Sequence, residues 1–261
     1  MNPFFFGPSG GQLYGLYYPP VKTDAPGDRG VIICQPVWQE YIRAHWACVQ
    51  MAHALSKQGL HALLFDYFGT GDSAGAEDEC TLQRWQDDIV TAAQELRDMA
   101  GITTYGIIGV RFGAALALKV CREKKISPFA IGLWDPILSG ARYLNETISF
   151  YNGLAAPNKK NKSPSTPKLG FPVSSRLSEE INRFEIEDPL EKETTPFFLA
   201  CSKNSPESDV DPQRCQGNAA FKGACFAPDE GGWLHGESFD KVMTPRAIPQ
   251  SMVSFISRLD L

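Results

Sequence analysis

The sequence predicts an α/β fold with a mostly parallel central sheet and helices on both faces. Short apolar segments alternate with longer amphipathic segments through much of the chain, and this alternation is typical of a sheet covered by helices. The short segments are apolar along their whole length, as expected of parallel strands buried on both faces. The length of 261 residues suits one α/β domain with an insertion.

The amino-terminal half supplies the first predicted elements in order. Aromatic segments around glycine-rich turns in residues 1–20 predict a β-hairpin. Buried strands are predicted at 30–36 and 61–69, an amphipathic helix at 44–59, and a long helix at 81–100 with Thr81 as its cap.

The carboxyl-terminal half continues the alternation after one interruption. Strands are predicted at 106–110, 128–136, 195–202 and 222–228, with helices starting near Phe112 and within the last 18 residues. Residues 141–195 contain two helical stretches around a polar, proline-rich segment. We interpret them as a helical lid inserted into a single domain whose core is 1–140 and 196–261.

Residues 109–113 form the motif on which the functional interpretation depends. An apolar strand, a glycine-flanked turn and an apolar helix together are typical of a nucleophile elbow, written Gly-x-Ser-x-Gly. Here the five residues are Gly-Val-Arg-Phe-Gly, so Arg111 takes the serine position. A guanidinium stays protonated and has no acceptor. The sequence therefore excludes serine hydrolysis through this elbow.

Four stretches carry a resemblance to a known family. They are LLFDYFGTGDSAG (63–75), GVRFGAALAL (109–118), LWDPILSGARYL (133–144) and LGFPVSSRLSEEI (169–181). Together they resemble α/β-hydrolases and, more narrowly, the exosortase A system-associated hydrolases of the second type. The resemblance implies the α/β-hydrolase fold and an association with exopolysaccharide export. It does not establish an activity, because a fold alone does not.

Two roles for Arg111 stay open. A guanidinium at a helix N-terminus is suited to a carboxylate or phosphate, and the first turn of the following helix has no acidic residue to neutralise it. Alternatively, Arg111 pairs inwardly with Asp135 or with an acid at the triad position. For the first role, Phe112 and the loop residues Val37, Trp38 and Glu40 are candidate ligand contacts, with surface salt bridging as the other interpretation of Glu40.

The remaining catalytic candidates follow from chain order. In this fold the nucleophile, acid and histidine appear in that order, which places Asp209 and His235 as an acid–base pair. A solvated turn around Asp209 and a glycine-rich loop with a packed Trp233 are the competing interpretation. Ser73 matches Gly-x-Ser-x-Gly as a string but precedes an acidic loop, so we expect it to hold a turn. Cys34 is a further candidate nucleophile, or a core residue.

Composition narrows the possible partners. The formal net charge is −5 and the pI about 5.5, and no basic cluster suggests a nucleic-acid surface. No apolar run is long enough to span a membrane. Seven scattered cysteines favour a reducing cytoplasm, and no cofactor or metal is expected.

Three functions follow. The first is binding of an anionic, acyl or glycan ligand in the cleft. The second is ester or acyl hydrolysis without an elbow serine. The third is a protein–protein adaptor acting through the lid, with a protein of an exopolysaccharide system as the possible partner.

Overall fold

The central feature of the fold is an eight-stranded sheet. The structure, a computed structural model, describes residues 1–21, 27–155, 171, 173–186, 190–202, 210–227, 233 and 242–259. The strands are β1 (Asn2–Phe6), β2 (Leu13–Tyr18), β3 (Arg29–Cys34), β4 (His61–Phe65), β5 (Thr104–Val110), β6 (Ile131–Trp134), β7 (Phe197–Ser202) and β8 (Phe221–Ala227). Their order in the sheet is β1-β2-β4-β3-β5-β6-β7-β8.

The strand directions confirm the predicted mixed sheet. β2 runs antiparallel to both β1 and β4, which confirms the amino-terminal hairpin. All other neighbours pair in parallel. The carboxyl ends of β3 to β8 therefore meet at one edge of the sheet, where ligands bind in open α/β folds.

Helices cover both faces of the sheet. They are α1 (Trp38–Lys57), α2 (Leu82–Ala100), α3 (Phe112–Arg122), α4 (Gly140–Ala155), α5 (Ser175–Asn182) and α6 (Ala247–Arg258). α1 and α6 share one apolar core with one side of the sheet, and α2 and α3 share the other. This arrangement confirms the predicted layers.

The predicted helix boundaries are confirmed for α2 and wrong for α1. α2 agrees with the prediction, and the Thr81 hydroxyl accepts a hydrogen bond from the Arg84 amide at 3.1 Å. The predicted start of the preceding helix at residue 44 is wrong, because α1 begins at Trp38. The first turns of α1 bury the charged residues Glu40 and Arg43, and buried charges hide the hydrophobic periodicity that marks a helix.

The predicted insertion lies between β6 and β7. It contributes α4 and α5, and the Gly140 amide at the start of α4 donates to the Phe184 carbonyl, which follows α5, at 2.8 Å. Residues 156–170, the proline-rich part, lie outside the described residues. That the insertion acts as a lid stays a prediction. Within the described ranges, no helix is long and apolar enough to cross a membrane.

Candidate functional site

Arg111 occupies the strand-to-helix turn with elbow geometry. Its φ is 54° and ψ −120°, a conformation that costs energy for any residue other than glycine. The flanking glycines allow the close approach of the chain. A Cβ on Gly113 would lie 2.3 Å from the Gln35 carbonyl oxygen, and one on Gly109 would lie 2.3 Å from the Ala114 Cα. The predicted elbow is confirmed.

The Arg111 side chain is fully buried and pairs with an acid. Its Nε donates to Glu40 Oε1 at 2.9 Å, and Nη1 donates to the Asp135 carbonyl oxygen at 3.4 Å. An inward ion pair is therefore present, and Glu40 is a carboxylate partner that the sequence did not indicate. Asp135 contributes its carbonyl oxygen, and a pairing with the acid at the triad position, Asp209, falls outside the described residues. The expectation that nothing neutralises Arg111 locally is wrong, since an acid comes from α1 instead of α3.

The Trp233 ring packs against the guanidinium of Arg111. The Arg111 Cζ lies 5.2 Å from the Trp233 ring centroid, within the range of a cation–π contact. The Trp233 carbonyl accepts from Arg43 Nη1 at 2.7 Å. Burial lowers the pKa of Arg43, and the nearby Glu40 opposes this shift. Trp233 therefore packs into the site, as one of the two interpretations of its loop predicted.

Asp135, at the carboxyl end of β6, is also engaged internally. Its Oδ1 accepts from the Ser202 amide at 2.9 Å. Its Oδ2 accepts from Trp233 Nε1 at 2.8 Å and from the Ser202 hydroxyl. A buried carboxylate satisfied by three donors cross-links β6, β7 and the segment that follows β8. The Asp135 carboxylate therefore has a structural role in the site.

An aromatic stack covers the ion pair. The Tyr143 ring stacks on that of Phe112, with centroids 5.4 Å apart, and on that of Trp38, with centroids 6.0 Å apart and the ring planes nearly parallel. The Tyr143 hydroxyl donates to Glu40 Oε2 at 3.3 Å. Arg111, Phe112 and Glu40 are all buried. The alternative interpretation of Glu40 as a surface salt-bridging residue is therefore wrong, and contact of the three residues with a ligand stays a prediction.

Val37 and Trp38 line a small cavity next to the aromatic stack. Its volume is about 40 Å³, and it lies at the carboxyl ends of β3 and β4. The lining residues are Pro36, Val37, Trp38, Tyr41, Gly69, Thr70, Gly71, Glu77, Cys80, Trp85 and Phe171. We refer to this space as the front cavity.

A buried polar network supports one wall of the front cavity. The Gln35 amide donates to Asp66 Oδ1 at 2.9 Å, and its carbonyl oxygen contacts His45 Nδ1 at 2.8 Å. The nearby Tyr41 hydroxyl opposes the rise in the pKa of Asp66 that burial causes. Burial raises the pKa of Asp66 and lowers that of His45. The network holds the turn after β4 against the start of α1.

The other candidate nucleophiles have structural roles. The Ser73 hydroxyl donates to the Asp66 carbonyl at 2.7 Å and accepts from the Tyr14 amide at 2.8 Å, which confirms its role in a turn. Cys34 is fully buried, and burial raises the pKa of its thiol far above the ordinary value. A thiol kept protonated is a poor nucleophile.

The predicted acid–base pair falls on two segments that the structure does not describe. Asp209 and His235 both lie outside the described residues, so their pairing stays a prediction. Among the residues that are described, no group of three His, Cys, Asp or Glu side chains is arranged to hold a metal.

Sequence reasoning missed Tyr143 and Glu77, and it placed Trp233 only in a packed loop. Tyr143 lies on the helix of the insertion, where nothing in the sequence links it to Glu40. Glu77 belongs to the run AEDEC, which is typical of a solvated loop. Its position on the cavity wall depends on the fold.

Comparisons with known proteins identify the fold. No protein-family model and no curated protein matches the sequence. Est1E from Butyrivibrio proteoclasticus, solved with ferulic acid bound, is similar in structure, with a TM-score of 0.65 at 15% identity over 97% of each chain. Mouse alpha/beta hydrolase domain-containing protein 10 has a TM-score of 0.59 at 16% identity, covering 98% of this chain and 97% of its own.

An α/β serine hydrolase of Xanthomonas campestris, described as lacking a lid, has a TM-score of 0.54 at 15% identity, over 90% of this chain and 86% of its own. These likenesses confirm the predicted class: the chain has the α/β-hydrolase fold, which it shares with hydrolases. Identities this low show the fold alone.

Proposed function

We propose that this protein is an α/β-hydrolase-fold protein that binds a small ligand and does not hydrolyse esters. The observation that carries the proposal is Arg111, which sits at the elbow with its guanidinium fully buried and paired to Glu40. A nucleophile at this turn must present a lone pair to a carbonyl carbon. A guanidinium has none to present.

The surroundings of the elbow support the same proposal. Asp135 and Ser202 lie at the ends of neighbouring strands, where this fold places catalytic groups. They hydrogen-bond to each other, and Asp135 also accepts a hydrogen bond from Trp233. Each of these groups makes hydrogen bonds inside the protein. The polar residues at this edge of the sheet hold the site closed around Arg111.

The front cavity is the proposed binding place. An anion at Arg111 would have to displace the Glu40 carboxylate from the guanidinium and break a buried ion pair, at a cost of about 3–5 kcal/mol. We therefore propose an acyl or glycan-linked ligand that enters beside Val37 and Trp38. The resemblance to exosortase-associated hydrolases extends the proposal to a role in exopolysaccharide production. A cytoplasmic location fits the seven cysteines, none of which forms a disulfide.

Hydrolysis of a panel of short- and medium-chain aryl esters tests the proposal. The wild-type protein should release aryl alcohol no faster than buffer containing the same protein after heat denaturation. Saturable turnover by the native protein would overturn the proposal. If turnover appeared, its loss in Ser73→Ala would assign it to Ser73, and its loss in His235→Ala would support the alternative hydrolase.

A further inference from the structure

A second, larger cavity lies between α1 and α6, on the face of the sheet opposite α2 and α3. Its volume is about 560 Å³, and small-molecule sites usually measure roughly 300–1,000 Å³. None of its described lining residues also lines the front cavity. We refer to this space as the helix groove.

The α6 wall of the helix groove is held in place near both of its ends. Before α6, the Met243 amide donates to the Arg43 carbonyl of α1 at 2.9 Å. After α6, the Leu259 carbonyl accepts from Arg29 Nη1 of β3 at 2.9 Å. The helix groove is therefore formed without a ligand, as binding sites usually are.

The α1 wall is one stripe of side chains. Trp46, Gln50, Ala54 and Gln58 line the helix groove, and residues four positions apart lie one above another on the same helical face. At a rise of 1.5 Å per residue, the wall from Trp46 to Gln58 is about 18 Å long. The short side chain of Ala54 widens the space between the two glutamines. The helix groove is therefore suited to an elongated ligand.

Amide and hydroxyl groups provide the polar chemistry of the helix groove. Gln50, Gln58 and Gln250 are all exposed to solvent, and each of their amides has two donors and an acceptor. Ser254 and Ser257 also contribute to the lining, and a hydroxyl both donates and accepts. Such a set of groups matches a ligand that is itself rich in hydroxyl groups.

Trp46 adds an aromatic face near one end of the helix groove. Its side chain is 50% exposed, whereas tryptophan is highly buried on average. An indole offers a large apolar face together with one N–H donor. A sugar ring has apolar C–H faces and hydroxyl groups at its edge, so it can stack on an indole while its hydroxyls reach neighbouring amides.

A peptide fits the helix groove less well than a sugar chain. Both walls are helices, whose backbone groups are hydrogen-bonded within the helix, so neither wall offers a strand edge to an extended peptide. A helical peptide needs a row of apolar anchors in an apolar groove. Gln50 and Gln58 interrupt the apolar surface of the α1 wall.

We infer that the helix groove binds an oligosaccharide, with Trp46 stacking on one sugar ring and the glutamine amides hydrogen-bonding to hydroxyl groups of the others. This would be a second binding site, separate from the front cavity and independent of any ligand bound there.

Isothermal titration calorimetry with four sugar chains tests the inference. The probes are cellotetraose, maltotetraose, chitotetraose and tetragalacturonate, the last because Arg246 and Arg258 also belong to the lining. At least one tetramer should bind saturably to the wild-type protein. The corresponding monosaccharide should bind at least about tenfold more weakly, because it makes only part of the contacts along the helix groove.

Variants locate the binding. In Trp46→Ala the affinity for the bound tetramer should fall about tenfold or more, as truncation of a central tryptophan does at many interfaces. In Gln250→Ala it should fall several-fold through the loss of hydrogen bonds. Gln94→Ala, at an exposed position on α2, removes a comparable amide on the other side of the sheet and should match the wild type.

Three results would overturn the inference: no saturable binding of any of the four tetramers, equal affinity in Trp46→Ala, or a monosaccharide that binds as tightly as its tetramer. If Trp46→Ala failed to fold by circular dichroism, Ala54→Phe would replace it. That substitution fills the middle of the helix groove without removing a polar group and should abolish binding. An unchanged affinity in Ala54→Phe would count against the inference.

Discussion

Arg111 and Glu40 form a buried ion pair that joins the elbow to the first turn of α1. The Arg111 Nε lies 2.9 Å from Glu40 Oε1, and the two side chains are 0% and 4% exposed. Glu40 also accepts from Tyr143 on the insertion. One carboxylate therefore links three parts of the chain, and the charge at the nucleophile position is balanced from inside the protein.

Removing one partner of this pair should destabilise the fold strongly. In Glu40→Gln the buried guanidinium loses the carboxylate 2.9 Å from its Nε, and breaking a buried ion pair by removing one partner costs about 3–5 kcal/mol. Urea unfolding followed by circular dichroism measures the loss. The double variant Arg111→Met with Glu40→Leu should lose clearly less unfolding free energy than the sum of the losses in Arg111→Met and in Glu40→Leu. Additive losses would show that the two side chains do not interact.

The indole of Trp233 should contribute to the stability of the fold through its hydrogen bond to Asp135. Trp233→Phe removes the donor 2.8 Å from Asp135 Oδ2 and should lower the unfolding free energy by about 1–3 kcal/mol. Trp46 is 50% exposed and provides the matched control, since Trp46→Phe should change stability by about 0.5 kcal/mol or less. Equal effects of the two substitutions would contradict the internal role of Trp233.

The glycines of the elbow should be intolerant of a methyl group. A Cβ on Gly113 meets backbone oxygens at 2.3 and 2.5 Å, so Gly113→Ala should destabilise the protein by about 3 kcal/mol, the upper end for overpacking. A Cβ on Gly217 would meet no atom of the described residues within 4 Å, and Gly217→Ala should be nearly neutral. Thermal unfolding compares the two. A tolerated alanine at 113 would contradict the tight turn.

Asp88 should make stability depend on pH. Burial raises its pKa from 3.8 to about 6, although the Phe68 amide and Arg84 oppose the shift. Between these two values the folded state binds more protons than the unfolded state, so stability rises as pH falls through about 6 and levels off below about 4. Asp88→Asn should abolish this part of the pH profile. Asp87→Asn, at an exposed position, should keep it.

The sequence was sufficient for the sheet and the elbow because both follow from local patterns. Apolar strands alternate with amphipathic helices, and the two glycines around Arg111 mark a turn that only small residues permit. The partner of Arg111 was not predictable, because Glu40 looks like a surface residue at the start of a helix. Glu77 was missed for a similar reason: an acidic run is typical of solvent, and only the fold brings this residue to the aromatic cavity.

Labelling with a fluorophosphonate, followed by peptide mapping, tests most directly whether the protein lacks a serine nucleophile. An active serine hydrolase in the same reaction mixture is the positive control. We expect the control to be labelled and the wild-type protein to remain unlabelled, because Arg111 occupies the elbow. Covalent labelling of a serine in the native protein, lost on denaturation, would contradict the claim and identify the nucleophile.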